Sequence, residues 1–343
     1  MSELLTQADT IEAAKKSWRE LVAQYQRPSV ARSSWQLANS IIPYVALWAL
    51  MYFSLGVSYW LTLLLSIPTA GMLVRIFIIS HDCGHGAFFS TSKANNFWGA
   101  ITSFLVFNPY YYWKHEHALH HASTGNLDKR GHGDIWTMTV QEYLDSPLRT
   151  RIAYRIYRNP LVLFLVGALY MFVIGYRFTH AEGSKKDRAS VLKMNLSIAA
   201  LIAVVHFTIG FKAFLMVQLP IFAIASAAGA WLFYVQHQYE GVYWQRKGEW
   251  DYVEASLAGS SFFSLPKVLQ WFTGNIGYHH IHHLSSKIPN YYLEKCHREN
   301  PIFQKVHRIT FWSSFRTLQY RLWDEERGEL VGYRRLRELR RAA

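Results

Sequence analysis

Cysteine and charge are both scarce in this sequence. Among 343 residues there are only two cysteines, Cys83 and Cys296, and they form no Cys-x-x-Cys pair. This excludes a disulfide framework and is consistent with a reducing compartment. Charged side chains make up only 17% of the chain, which is too few for a typical soluble protein. The sequence also contains no internal repeat and no low-complexity segment.

Apolar and aromatic side chains are abundant instead. Hydrophobic residues make up 51% and aromatic residues 16% of the chain, with 13 Trp and 21 Tyr. This composition is typical of membrane spans with Trp and Tyr at the membrane surfaces, and the aromatic string at 110–113 is predicted to belong to such a belt. The net charge of +13 does not indicate nucleic acid, because no nucleic-acid-binding motif is present and the basic residues flank apolar runs. We expect the lipid bilayer, not nucleic acid, to be their partner.

Two long apolar runs predict two transmembrane hairpins. Residues 38–80 contain Arg75 as their only charge and a Gly-Val-Ser-Tyr turn in the middle. Residues 194–234 are interrupted by Gly210 and Lys212. Each run is long enough for two helices of about 20 residues, the length that crosses a bilayer, so we expect four spans.

The polar ends define the expected domain organisation. Residues 1–37 are too long and too charged for a cleaved signal peptide, so the first apolar run is expected to be a retained anchor. We expect a cytoplasmic N-terminal segment at 1–37, a membrane domain with a metal site at 38–298, and a basic cytoplasmic tail at 299–343.

Nine of the sixteen histidines form an unusual pattern. Three clusters and one single residue contain them: His81 and His85; His117, His120 and His121; His279, His282 and His283; and His237. Residues three and four apart share one face of a helix, so each cluster directs its imidazoles to one side. Neutral imidazole binds Fe, Zn, Cu and Ni, with about four to six ligands for each ion. Nine ligands are too many for one ion and about right for two.

The position of the clusters constrains the topology. Two shorter apolar stretches, 97–107 and 161–176, lie between the clusters. If either crossed the membrane fully, the clusters would lie on opposite faces, so both are predicted to be interfacial or re-entrant. Basic residues at 177–193 and in the tail at 321–341 place this face in the cytoplasm. The predicted fold is therefore all-α and integral to the membrane, with two helical hairpins and a cytoplasmic helical cap that carries the histidines.

Carboxylates near the clusters are predicted to support the metal ions. An imidazole ligand commonly donates its other ring N–H to a carboxylate. The candidates are Asp82, Glu116, Asp128, Asp134 and Glu240. Asn275 precedes His279 by four residues and is predicted to share its helical face, where it would reach a metal directly or through water.

Two redox-active ions at a membrane surface favour oxidation of a lipid chain. Breaking an unactivated C–H bond requires an oxidant that no side chain provides but that bound iron and O2 supply. A hydrolytic zinc site is less consistent with the sequence. The segment 115–120 nearly matches the His-Glu-x-x-His motif, but Leu119 stands where the second histidine is required.

The three clusters resemble the histidine boxes of membrane fatty acid desaturases. Those boxes have the forms HxxxH, HxxHH and HxxHH, with one further histidine, which His237 would supply. The sequences at 131–136 and 282–291 are similar to those of the omega-6 (delta-12) acyl-lipid desaturases in their bacterial form. The resemblance to the family as a whole covers about residues 38–298. It implies two iron ions, O2 as co-substrate, a membrane acyl-lipid substrate and a cis double bond as product.

The resemblance also implies a separate electron donor, ferredoxin-like or cytochrome b5-like, because no His-Pro-Gly-Gly haem motif is present. A bacterial inner membrane is the expected location. One departure concerns Phe233, which stands where acyl-CoA desaturases have an Asn that helps to hold a metal through water. Related di-iron hydroxylases, epoxygenases and carotenoid ketolases share the boxes and remain alternatives. A membrane metal transporter or zinc-binding protein is an alternative from another class.

Overall fold

The computed structural model describes residues 7–131 and 133–342. Fifteen α-helices account for most of these residues: α1 Gln7–Ala23, α2 Val30–Ser54, α3 Tyr59–His85, α4 Ser92–Leu105, α5 Tyr110–Ser123, α6 Val140–Asp145, α7 Leu148–Tyr157, α8 Ala168–Val173, α9 Lys185–Phe207, α10 Phe211–His237, α11 Tyr252–Leu257, α12 Lys267–Phe272, α13 His279–Leu284, α14 Asn290–Glu299 and α15 Arg334–Ala342. Strand structure in the described residues is limited to two pairs. Strand β1 (Phe262–Ser264) is parallel to β2 (Arg308–Thr310), and β3 (Leu322–Asp324) is antiparallel to β4 (Glu329–Val331). The predicted all-α class is confirmed.

Four helices are long and apolar enough to cross a membrane. They are α2, α3, α9 and α10, of 25, 27, 23 and 27 residues, which confirms the four predicted spans. The turn between α2 and α3 falls at 55–58, and Gly210 separates α9 from α10 with a φ of +82°. Glycine adopts this left-handed conformation without a side-chain clash, so it allows the reversal into α10.

Helix α3 is the central element of the bundle. It packs against α2, α4 and α10, and it is the most deeply buried of the four spans. Met51, Leu73, Ile76, Val217 and Ile221 form the centre of this packing and are almost fully buried. The outer faces of α2 and α9 expose large apolar side chains, as lipid-facing surfaces do.

The two short apolar stretches do not add single straight spans. The first forms α4, which has only 14 residues. The second follows α7 in a bent pair, Leu148–Tyr157 and Val162–Arg177, with an angle of 75° between the two parts. The histidines of α5 and α13 meet in one site, and α9 and α10 already provide two crossings between them. If α9 and α10 both cross the membrane, the bent pair adds no further complete crossing between them, which is consistent with the predicted interfacial or re-entrant segment.

Both ends of the chain pack against the histidine-bearing cap. Ala14 and Val22 of α1 are buried against Val253, Ile281 and Leu284. In the C-terminal part, Trp323 stacks on Trp244 with ring centroids 5.9 Å apart. The expected domain boundaries at 37/38 and 298/299 fall inside α2 and α14. The boundaries follow the change from polar to apolar sequence, whereas both helices continue across that change.

Candidate metal centre

Four helices bring the nine histidines together. His81 and His85 lie on the last two turns of α3, and His237 is the last residue of α10. Helix α3 ends immediately after His85 because Gly86 has a φ of +65° and its N–H donates to the carbonyl of Cys83. The histidines at the ends of the two long helices thus belong to the helical bundle.

Helices α5 and α13 each divide their histidines between two groups. In each helix the two residues four apart point to one group and the residue between them points to the other. The five-histidine group consists of His81, His85, His117, His121 and His282, and the four-histidine group consists of His120, His237, His279 and His283. Around a helix, position i+4 lies about 40° from position i in one direction, and position i+3 lies about 60° from it in the other direction. This difference in direction sends the histidine at the middle position to the other group.

The five-histidine group is tightly closed. The Nε2 atom of His121 lies 3.2 Å from that of His117 and 3.0 Å from that of His282. The ring centroids of His81 and His85 are 4.7 Å apart, and each lies within 5 Å of the ring of His117. The Nε2 atom of His85 is buried without a hydrogen-bond partner.

The four-histidine group adjoins the first. The Nε2 atom of His237 lies 3.3 Å from that of His120 and 2.9 Å from that of His279. A further contact of 3.1 Å joins the Nε2 atoms of His279 and His283. The rings of His121 and His283 stack with centroids 4.1 Å apart, so the two groups share a wall.

These distances fit metal coordination. Two nitrogens bound to one ion at about 2.1 Å lie roughly 3.0–3.4 Å apart at octahedral or tetrahedral angles. The closest Nε2 pairs are 2.9–3.3 Å apart. A neutral imidazole has one N–H, which the Nδ1 atom of His237 directs to the carbonyl of Gly259 at 3.2 Å. Its Nε2 atom therefore carries a lone pair and cannot donate to either neighbour.

Burial favours the neutral form of five imidazoles on α5 and α13. The side chains of both groups are largely or fully withdrawn from solvent. Burial, reinforced by neighbouring imidazoles, lowers the pKa of the α5 and α13 residues His117, His121, His279, His282 and His283 well below the usual value. A neutral imidazole presents its lone pair to a metal ion, whereas a protonated one does not.

Two predicted carboxylates contact the histidines, one in each group. The Asp82 carboxylate lies 3.0 Å from the Nδ1 atom of His81 and also accepts from the backbone and side-chain nitrogens of Asn290. The Asp134 carboxylate accepts from the Nδ1 atom of His120 at 2.8 Å. Each contact fixes the proton on Nδ1 and leaves Nε2 free for a metal.

The structure places the other predicted supporting residues elsewhere. Glu116 faces His180, with 3.6 Å between the carboxylate and Nε2. Asp128 binds Arg246 and the backbone N–H of Lys247. Glu240 is exposed on the surface of the cap.

The helical argument for Asn275 is wrong. Helix α13 begins at His279, and Asn275 lies in a turn with a φ of +59°. Its side chain accepts from Gln270 and donates to the carbonyl of Asn290. The spacing of four residues has no helical meaning where the backbone is not a helix.

Two aromatic residues lie against the histidines although the sequence did not predict this role for them. The ring of Trp113 stacks on His117 at 4.5 Å and Trp113 is only 7% exposed, so it belongs to the site and not to a membrane-surface belt. Phe233 places its ring 5.1 Å from the rings of His120 and His237. Of the other histidines near the clusters, His115 contacts Asp187, and His132 lies outside the described residues.

Comparison with known proteins places this chain in a family. A family model described as fatty acid desaturase matches residues 58–315. A protein of Bacillus subtilis named fatty acid desaturase is 46% identical over 96% of this chain and 94% of its own length. The sn-1 oleoyl-lipid 12-desaturase of Picosynechococcus is 28% identical over 72% of this chain and 71% of its own length. The sn-1 acyl-lipid omega-3 desaturase (ferredoxin) of Synechocystis is 25% identical, covering 70% and 68%.

Proposed function

The chain belongs to the fatty acid desaturase family, and we propose that it is an O2-dependent acyl-lipid desaturase with two iron ions held by nine histidines. The observation that carries this proposal is the convergence of nine largely buried imidazoles into two adjoining groups. Five and four nitrogen ligands match the needs of two ions. The absence of a cysteine from both groups favours iron over a structural zinc site, in which thiolate is common.

The place of the site in the bundle supports a membrane lipid as substrate. His81, His85 and His237 lie at the ends of two spans, next to the bilayer that would hold a lipid substrate. All nine histidines fall between residues 81 and 283, which supports 38–298 as the catalytic unit. The bundle provides the apolar surroundings that an acyl chain requires.

The protein's contribution to the reaction is to position ligands and to exclude water. With iron bound, O2 accepts two hydrogens from adjacent carbons, together with two external electrons and two protons, and leaves as two waters. Asp82 and Asp134 hold His81 and His120 in the tautomer that binds metal. Trp113 and Phe233 cover the imidazoles with apolar rings, which limits access of solvent to the oxidant.

The electrons come from a separate carrier, ferredoxin-like or cytochrome b5-like. The chain has no haem motif of its own, and the Synechocystis relative carries ferredoxin in its name. For the new double bond we propose carbon 12, the omega-6 position. The sequence around the boxes and the Picosynechococcus 12-desaturase support this position.

We propose that the histidine face lies on the cytoplasmic side of a bacterial inner membrane. The basic residues at the start of α9, on the side of the site, agree with the positive-inside rule. They are Lys185, Lys186, Arg188 and Lys193. Single cysteines replacing Lys129 on the cap and Thr208 at the far turn test this. An impermeant thiol reagent added outside should label only Thr208→Cys, and labelling of Lys129→Cys instead would reverse the orientation.

Lipid analysis of an expressing bacterial host tests the reaction. Gas chromatography with mass spectrometry of derivatised acyl chains detects new double bonds and their position. We expect a new cis double bond at carbon 12 in cells with the intact protein and none with His282→Ala. A bond at another carbon would overturn the position only. A hydroxylated or epoxidised acyl chain would show that the protein is a related di-iron hydroxylase or epoxygenase and not a desaturase. Zinc without iron in an inactive protein would favour the alternative of a metal transporter or zinc-binding protein.

A further inference from the structure

Arg158 is a buried cation without an anionic partner in the described part of the chain. It follows α7, is 1% exposed, and has no carboxylate oxygen within ion-pair distance among the described residues. Its guanidinium donates to the carbonyl of Trp136 at 3.2 Å, the hydroxyl of Thr137 at 3.1 Å, the side-chain oxygen of Gln238 at 2.9 Å and the carbonyl of Tyr320 at 2.9 Å. Burying an unpaired charge is costly, so the neutral acceptors around it must compensate.

Three of these contacts reach residues close in sequence to the four-histidine group or to its supporting carboxylate. Gln238 follows His237 in the chain. Trp136 and Thr137 belong to the segment that begins at Asp134, whose carboxylate holds His120. The same guanidinium therefore links the segment that follows His237 to the segment that carries Asp134. None of its hydrogen bonds reaches a residue next to the five-histidine group.

We propose that Arg158 is a positioning residue for the metal ion of the four-histidine group. This inference rests on the proposed function, because it assumes that both groups bind iron. The guanidinium binds both the side chain of Gln238, next to His237, and residues 136–137, which follow the Asp134 that contacts His120. It thereby sets the distance between the imidazoles of His237 and His120. Its planar fork reaches acceptors in three segments of the chain at once, which the point charge of a lysine does not.

The experiment compares ferrous iron binding to the full-length wild type and to Arg158→Lys in detergent under anaerobic conditions. The wild type should bind about two ions per chain. We expect Arg158→Lys to keep one ion with unchanged affinity and to bind the other about 10- to 100-fold more weakly, as for other residues that orient ligands. Mössbauer spectra should then show an isolated ion in place of a coupled pair.

Arg177→Lys is the matched control. Arg177 also donates to a side-chain amide oxygen and a carbonyl, those of Asn195 and Phe107, away from either histidine group. This variant should bind two ions as the wild type does. If Arg158→Lys does not fold, Gln238→Met removes the acceptor that joins Arg158 to the His237 segment and decides the question.

The possible failures are distinguishable. A folded Arg158→Lys protein that binds both ions with wild-type affinity overturns the inference, and so does an equal weakening of both ions. A wild type that binds fewer than two ions contradicts the proposed function instead.

Discussion

The contact between Asp134 and His120 leads to a quantitative prediction for Asp134→Asn. The carboxylate accepts from the Nδ1 atom of His120 at 2.8 Å, and its side chain is 17% exposed. An amide oxygen accepts less strongly than a carboxylate and leaves an N–H group beside the imidazole. Loss of such a contact commonly lowers metal affinity by about 10- to 100-fold, which corresponds to about 1.4–2.7 kcal/mol.

The assay is anaerobic titration with ferrous iron in competition with a chelator, together with thermal unfolding. Affinity should fall for one ion only, that of the four-histidine group, with little change in the melting temperature of the metal-free protein. Asp128→Asn is the control on the same loop, because its partners are Arg246 and Lys247 and not a histidine. Wild-type affinity in Asp134→Asn, or an equal loss in Asp128→Asn, would refute the reasoning.

Substitutions near and away from the histidines, and removal of iron, test the same site. A methyl group added in Gly277→Ala would lie 2.3 Å from the carbonyl oxygen of Phe263, so we expect a lower melting temperature and loss of iron. Gly248→Ala, with open space around it, should change the free energy of unfolding by less than about 1 kcal/mol. His282→Ala should abolish lipid desaturation while His180→Ala, whose side chain is 68% exposed, should leave it nearly unchanged in the same gas-chromatographic assay; an inactive His180 variant would mean that the ligand set is misassigned. Removal of iron by a chelator should lower the melting temperature of the wild type, because only the folded state holds the ions, and an unchanged melting temperature would argue against nine bound imidazoles.

Asp82 differs from Asp134 although the two residues contact equivalent histidines. Its side chain is 2% exposed and accepts two hydrogen bonds from Asn290 in addition to its contact with His81. Helix α3 is thereby tied to the start of α14. The first supporting carboxylate thus has a structural role in the bundle, whereas the second is specific to its histidine.

Much of the fold and of the histidine set could be predicted because it depends on local sequence. Apolar runs of about 40 residues indicate helical hairpins wherever they occur, and histidines three and four apart share a helical face. The same local argument was wrong for Asn275, where the chain turns at Gly274 before α13 begins. It was also uninformative for Trp113, since an aromatic residue suits a membrane surface and a buried metal site equally well.

The sequence by itself determined the composition of the site, the four spans and the requirement that all clusters lie on one membrane face. Only the tertiary structure decided how the nine histidines divide into two groups and which residues support them. His120 meets His237 across 117 residues of chain, and Asp82 meets Asn290 across 208. Such pairings depend on how the helices pack, and side-chain spacing along one helix carries no information about the helix that faces it.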